Sequence, residues 1–240
     1  MKTVRSGALS FERVRITHNG EACQLDFSVP GGAQLVAQGV PGMERRFARL
    51  LKRHEKPDAG LITLGGVDIA AFDPLQLRSE ITVLDRPAIV ETTIAEYLKL
   101  ANPERNAGDH LAALRLVGLD DRVALLPEGM QTVLSSTGWP FTVAKTMQLK
   151  LAAAVLAEPH ILVLSPLFDM VPLPRLRAVF EHFRDRPTTI LYFSNRPEAV
   201  DLGGWLWLGE TMQDLTDDRT RFDDMRGAAG RETGGALGDD

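Results

Sequence analysis

The chain has 240 residues, 44% of them hydrophobic and 25% charged, with a formal net charge of −5. That length and apolar content can bury a real core without covalent staples, and the acidic balance argues against a nucleic-acid binder. The single cysteine, Cys23, excludes an internal disulfide and any zinc-type cysteine spacing, which fits a reducing compartment.

Residues 11–17 alternate apolar and polar side chains, as a half-buried strand does. Residues 23–29 alternate again, with Cys23, Leu25, Phe27 and Val29 on one face. Asn19-Gly20 between the two runs is a hairpin signal, so the chain is expected to open with an antiparallel pair. Pro30-Gly31-Gly32 breaks the pattern, and residues 35–37 read as a short strand. Gly39-Val40-Pro41-Gly42 follows, and then Phe47, Leu50 and Leu51 at helical spacing. Strand, glycine loop and helix in that order suit a phosphate-binding loop.

Residues 61–64 and Ile81–Leu84 read as further strands, with Gly65-Gly66 as a turn. Residues 93–100 and 108–125 look helical, so residues 86–158 are expected to form a helical subdomain. Residues 141–157 make the longest helix candidate, apolar on most sides and hence buried. Ile161–Leu164 is wholly apolar, as a strand of a covered parallel sheet should be. Leu173–Phe183 reads as a helix, and Thr189–Phe193 and Trp205–Leu208 as the last strands.

Residues 214–240 change character, with acidic and glycine pairs and few large apolar side chains. Such a segment cannot offset its ordering entropy and is expected to be mobile. No apolar run approaches the roughly 20 residues that span a bilayer, and no signal-peptide pattern opens the chain. The chain is therefore expected to be soluble, with any membrane spans supplied by other polypeptides. The five histidines form no H-x-x-x-H pair, and no metal centre is expected.

In order and spacing, residues 7–210 resemble the nucleotide-binding domain of ABC transporters, particularly the exporter type. The stretches that carry the likeness are Pro30 to Leu51, Lys56-Pro57-Asp58-Ala59-Gly60-Leu61-Ile62, Thr93-Ile94-Ala95-Glu96, Leu149 to Pro159, and Ile161–Leu164. The resemblance implies an α/β fold: a P-loop NTPase-like core with an antiparallel β subdomain and an α-helical subdomain, over residues 1–213. It implies ATP and Mg²⁺ as cofactors, and a transmembrane subunit or half-transporter and a second nucleotide-binding domain as partners. No nucleic acid and no direct membrane insertion are implied. The location would be cytoplasmic, peripheral at the inner face of a membrane.

The family's chemistry is missing at one position after another. A Walker A loop, G-x-x-x-x-G-K-[ST], wraps phosphates with backbone N–H groups and holds Mg²⁺ through its hydroxyl. Here Gly39 and Gly42 open the loop, but Glu44 takes the last glycine position, Arg45 the lysine and Arg46 the hydroxyl. The plain reading is a relic loop. The functional one is that Arg45 and Arg46 hold an anion at the helix N-terminus. The Q-loop glutamine falls at or next to Arg86, and Asp85 beside it either touches a metal ion or, as the plainer reading, is a solvated loop carboxylate.

Walker B should end in Asp-Glu, but Ser165-Pro166 stands there, and proline cannot act as a base. Asp169 reads as a turn residue of the D-loop. Asn195 takes the switch-histidine position and cannot carry a proton at neutral pH. The signature L-S-G-G-Q becomes Phe141-Thr142-Val143-Ala144-Lys145. Thr142 and Lys145 either touch a partner's nucleotide or simply cap the helix. His18 takes the place of an adenine-stacking aromatic, with a solvent-facing strand-end residue as the simpler account.

The expectation is a pseudo-ATPase subunit that binds ATP weakly and has no use for Mg²⁺. Two alternatives stand beside it: an ATPase completed by partner-supplied residues, and an interaction module that has left transport.

Overall fold

The structure is a computed structural model that describes residues 6–196, 200 and 202–209. The expected mobile segment, 214–240, lies outside the described residues.

The chain opens as expected. Strand β1 (Leu9–His18) pairs antiparallel with β2 (Glu21–Val29) through the two-residue turn Asn19-Gly20. Both turn residues have positive φ, 51° and 87°, the backbone twist that a two-residue hairpin needs. The alternation seen in the sequence is interrupted once, where the register slips between Phe11 and Val14 and Arg13 takes a positive φ of 47°. That bulge keeps Leu9, Phe11, Val14 and Ile16 all buried on one face. Strands β4 (Ala59–Leu64) and β5 (Val67–Asp68) complete this sheet in the order β2-β1-β4-β5.

The second sheet is parallel. It contains β3 (Gln34–Gly39), β6 (Ile81–Leu84), β9 (Ile161–Leu164), β10 (Thr189–Phe193) and β11 (Trp205–Leu208), in the order β11-β3-β10-β9-β6. Every residue of β9 and β10 is buried. Alternate side chains enter two different cores. Ile161, Val163, Leu191 and Phe193 join the core shared with helix α1 (Met43–Leu51) and the antiparallel sheet. Leu162, Leu164, Ile190 and Tyr192 join the core shared with the helices of the other side.

Those helices include α3 (Ile94–Ala101), α4 (Ala107–Val117), α5 (Asp120–Ala124), α6 (Val143–Ala157) and α7 (Leu173–Phe183). Helix α6 buries ten of its side chains. Its start is two residues later than the sequence suggested, because Thr142 is the N-cap, its hydroxyl accepting from the Lys145 N–H at 3.4 Å.

Besides the two-residue β5, further pieces escaped the sequence reading. Helix α2 (Pro74–Glu80) is announced only by Asp73-Pro74, the cap and first-turn pair. Strands β7 (Thr92–Thr93) and β8 (Val133–Leu134) form a two-stranded sheet too short to show a period.

Four rings tie the layers together. Phe47 of α1 stacks on Phe11 at 5.2 Å between ring centroids and packs at 5.8 Å against Phe193 of the parallel sheet. Phe27 stacks on Phe11 at 4.7 Å. Phe47→Ala removes the ring common to both sheets and leaves a cavity. It should cost about 3–5 kcal/mol of unfolding free energy, read as a lower urea midpoint at unchanged slope. A loss under about 1 kcal/mol would show that the ring is not shared in this way.

Candidate functional site

Parallel strands end together, so whatever follows β6, β9 and β10 must meet at one edge of the sheet. The register places Leu84, Leu164 and Tyr192 side by side, and Asp85, Ser165 and Asn195 come shortly after them. A cleft of about 310 Å³ opens there. Glu44 and Arg45 from the first turn of α1, Asp85, Ser165, Pro166 and Asn195 all line it. Ala48, Val83, Val163, Leu167 and Phe193 supply its apolar remainder. Six residues that the sequence picked out from four separate motifs thus share one cavity.

The glycine loop differs from expectation. Helix α1 begins at Met43, capped by Gly42 with φ 85°, so Glu44, Arg45 and Arg46 lie within the helix and not on the loop. The free loop is only Val40, Pro41 and Gly42, and it is closed on itself: the Met43 N–H donates to the Val40 carbonyl at 3.0 Å. A loop built to wrap phosphate leaves such N–H groups open to the ligand. Gly39 serves the sheet. A Cβ there would lie 2.4 Å from the Leu208 carbonyl oxygen, so β11 is what requires a glycine. Neither Gly39 nor Gly42 lines the cleft.

The two arginines part company. Arg45 lines the cleft with its side chain 87% exposed, 3.8 Å from Glu44. Arg46 turns away from it: its Nη1 lies 2.7 Å from Glu55, which Arg49 also contacts at 3.3 Å. Of the two arginines expected to hold one anion, only Arg45 lines the cleft.

His18 ends β1, half-buried, and is held in place. Its Nε2–H donates to the Pro41 carbonyl at 2.9 Å, and its ring lies against Gly42. The carbonyl can only accept, so that nitrogen carries the proton. Thr142 and Lys145 are not among the cleft residues, and Thr142 is occupied as the cap of α6.

Asp85 is not the solvated carboxylate expected from sequence. Lys52, at the C-terminus of α1, reaches it at 2.5 Å, and Arg86 stands 3.5 Å away. Burial pushes its pKa up, but the Lys52 hydrogen bond and the charges of Lys52 and Arg86 outweigh that and leave it below the ordinary carboxylate value. Arg86 itself is 65% exposed.

Lys150, on α6, feels the same charges and is 8% exposed. Burial lowers its pKa; Asp85 opposes the shift, and Arg86 and Lys52 add to it. Neither lysine was singled out from the sequence. For Lys150 a signal existed, a lone charge between Leu149 and Leu151 in an otherwise apolar stretch.

Asp169 is a hub. Its carboxylate accepts from the Tyr192 hydroxyl, from the Ser194 hydroxyl at 2.7 Å and from the Asn195 N–H at 2.9 Å, while its carbonyl accepts from Arg196. A carboxylate with three donors on it fixes the segment after β10. Burial, then the Asp169 hydrogen bond, raises the Tyr192 pKa. Ser165 donates its N–H to the Leu84 carbonyl at 3.1 Å, but its hydroxyl oxygen is buried with no protein partner.

This architecture has known counterparts. At 30% identity over 195 residues, the chain aligns with a fatty acid ABC transporter ATP-binding/permease protein of Mycobacterium bovis, covering 78% of this chain and 31% of that protein. It is 27% identical over 222 residues to the glutathione/L-cysteine transport system ATP-binding/permease protein CydD of Bacillus subtilis, covering 88% and 38%. A bacterial Atm1-family ABC exporter with ATP bound matches it with a TM-score of 0.80 at 19% identity, over 95% of this chain and 43% of that one. No protein-family model matches the chain. The chain has the nucleotide-binding fold of an ABC exporter, and its relatives are ATP-binding proteins of ABC transporters. It spans well under half the length of those relatives.

The Lys52–Asp85 pair gives a measurable signature. Its carboxylate has a lowered folded pKa, so the pair contributes fully at neutral pH. That contribution fades as pH falls below about 4, through the folded value. A double-mutant cycle of Asp85→Asn and Lys52→Met should give a coupling of roughly 1–2 kcal/mol at neutral pH that shrinks as pH falls below about 4. A coupling that does not weaken on acidification would exclude an ionic pair.

Proposed function

We propose that this chain is an ATP-binding-type subunit of an ABC transporter that does not itself split ATP and that serves as a structural or regulatory partner. It would sit beside an active ATPase domain or a transmembrane subunit. Among the described residues no helix is long and apolar enough to cross a membrane. The membrane portion would then come from another polypeptide, or from a segment outside this chain, and would hold the subunit at the inner face of the membrane.

The observation that carries this reading is the identity of the groups around the cleft. Hydrolysis needs a phosphate grip, a metal ligand and a base that activates water. The cleft offers Ser165 and Pro166 at the strand end where two acids would do the last two tasks. Of its two carboxylates, Asp85 is held by Lys52 and Glu44 stands beside Arg45. Asn195 cannot relay a proton at neutral pH. Each missing electrostatic contact costs on the order of 10²–10³ in rate, and the losses are joined in one site. Fold likeness alone would not support this conclusion, since one fold hosts many activities.

The isolated chain should therefore show no magnesium-dependent ATP turnover above buffer. A rate that Arg45→Ala abolishes would overturn the reading. Turnover that appears only after a partner domain is added, and is lost with Thr142→Ala in this chain, would favour a composite site instead.

A further inference from the structure

At the opposite end of β9 from the cleft, one carboxylate joins three parts of the chain. Glu158 caps α6 in a left-handed backbone, φ 47°, just before β9 begins. Its Oε2 lies 3.0 Å from Arg105, in the turn between α3 and α4, and its Oε1 accepts from Arg186, which follows α7. Arg186 also donates its Nε–H to the His182 carbonyl at 3.0 Å, so the same guanidinium grips α7. Asn102 adds a bond from the α3–α4 turn to the Leu156 carbonyl at 3.1 Å. That turn is thus fastened to the C-terminal ends of both α6 and α7.

His182, in the last turn of α7, is the unsatisfied group of this junction. Its Nε2 is buried and has no hydrogen-bond partner among the described residues. Its ring stands edge-on to the buried Phe183, with 5.1 Å between ring centroids. The charges that act on it are Arg186, Glu158 and Arg105, two cations against one anion. Its sequence neighbours Glu181 and Arg184 pair with each other at 2.7 Å on the exposed side, and Asp185 is exposed too. Helix α4, packed against α7, carries Asp109, His110 and Arg115. Asp109 accepts from the Asn106 N–H, Arg115 pairs with Asp120, and His110 is buried. A proton on the His182 ring would be a buried donor with nothing to receive it, and a third positive charge beside a carboxylate already shared by two. Burial, with Arg186 and Arg105 adding to it and Glu158 opposing, accordingly holds the His182 pKa below the ordinary histidine value.

We infer that this junction is a proton-operated latch: with His182 neutral the two arginines close on Glu158, and a proton on the ring releases the α3–α4 turn from the ends of α6 and α7. The direction follows from linkage. The open form takes up the proton at the ordinary histidine value, about 6.5, and the closed form only at lower pH. Closure is therefore fully favoured above about pH 6.5 and weakens as pH falls below it. The latch lies away from the cleft and stands whether or not the proposed function does.

The test is amide hydrogen exchange of the whole chain at about pH 7.5 and about pH 5.5, corrected for the intrinsic rate and read by mass spectrometry at residues 104–106 and 184–186. Local opening there should rise about threefold or more on acidification. His182→Gln, which keeps a polar side chain but takes no proton, should open equally at both pH values. His54→Gln, at an exposed histidine outside the junction, should leave the rise unchanged.

A nuclear magnetic resonance titration of the His182 ring in the unaltered chain keeps the test decisive if His182→Gln does not fold. Its midpoint should lie below about 6.5. A midpoint at or above that value, no change in opening between the two pH values, or an equal loss of the rise in His54→Gln would each overturn the inference. So would a rise in His182→Gln as large as in the unaltered chain, which would assign the response to another group such as the buried His110.

Discussion

Strands β9 and β10 have no exposed face, and the remainder of the molecule is arranged to keep water off both sides of them. One side is closed by α1 and the antiparallel sheet, through Phe47, Phe11 and Phe193. The other is closed by the helical layer, through α6 and α7. Burial of each large apolar side chain is worth about 1.5–3 kcal/mol, so this double covering is held by many independent contributions. The convergence of strand ends that makes the cleft follows from the covering alone. A chain can lose every catalytic group at those strand ends and still present the same cavity.

That separation explains which parts were legible in the sequence. The wholly apolar Ile161–Leu164 and Thr189–Phe193 announce buried strands, and Asn19-Gly20 announces its hairpin, because burial and turn geometry act locally. The bulge at Arg13, the cap position of Thr142 and the two-residue strands β7 and β8 leave no period to read. At the site, the sequence identified Glu44, Arg45, Asp85, Ser165, Pro166 and Asn195, and the structure brings these six together. It also placed Arg46 in the same site, but Arg46 pairs with Glu55, nine residues further along the chain. Lys52 and Lys150 went unnoticed for the opposite reason. A charge at a helix end or within a helix has no significance until the fold reveals what it faces.

Charge at this site is redistributed more than it is removed. A working nucleotide site carries few cations and borrows the rest from a metal. Here Arg45 brings a permanent one, and Lys52 closes on Asp85 at the end of β6. Such exchanges are not conservative. An ammonium or guanidinium brings fixed charge and donors but no open coordination position, so it can neutralise a ligand without polarising a water molecule. Binding and bond cleavage then come apart, and the first can persist when the second has gone.

The same contacts make the cleft stiff. Lys52–Asp85 ties the end of α1 to the tip of β6, and Asp169 ties the turn after β9 to the segment after β10 through three donors to one carboxylate. In an ATPase these tips must shift as the phosphate chain shortens, and bistable contacts there convert chemistry into motion. Here two of the tips carry such contacts, Lys52–Asp85 at β6 and the Asp169 hydrogen bonds between β9 and β10. On the proposed function the subunit would not power a cycle itself. It can offer a constant surface against which a moving partner works, and that is the role the proposed function assigns to it.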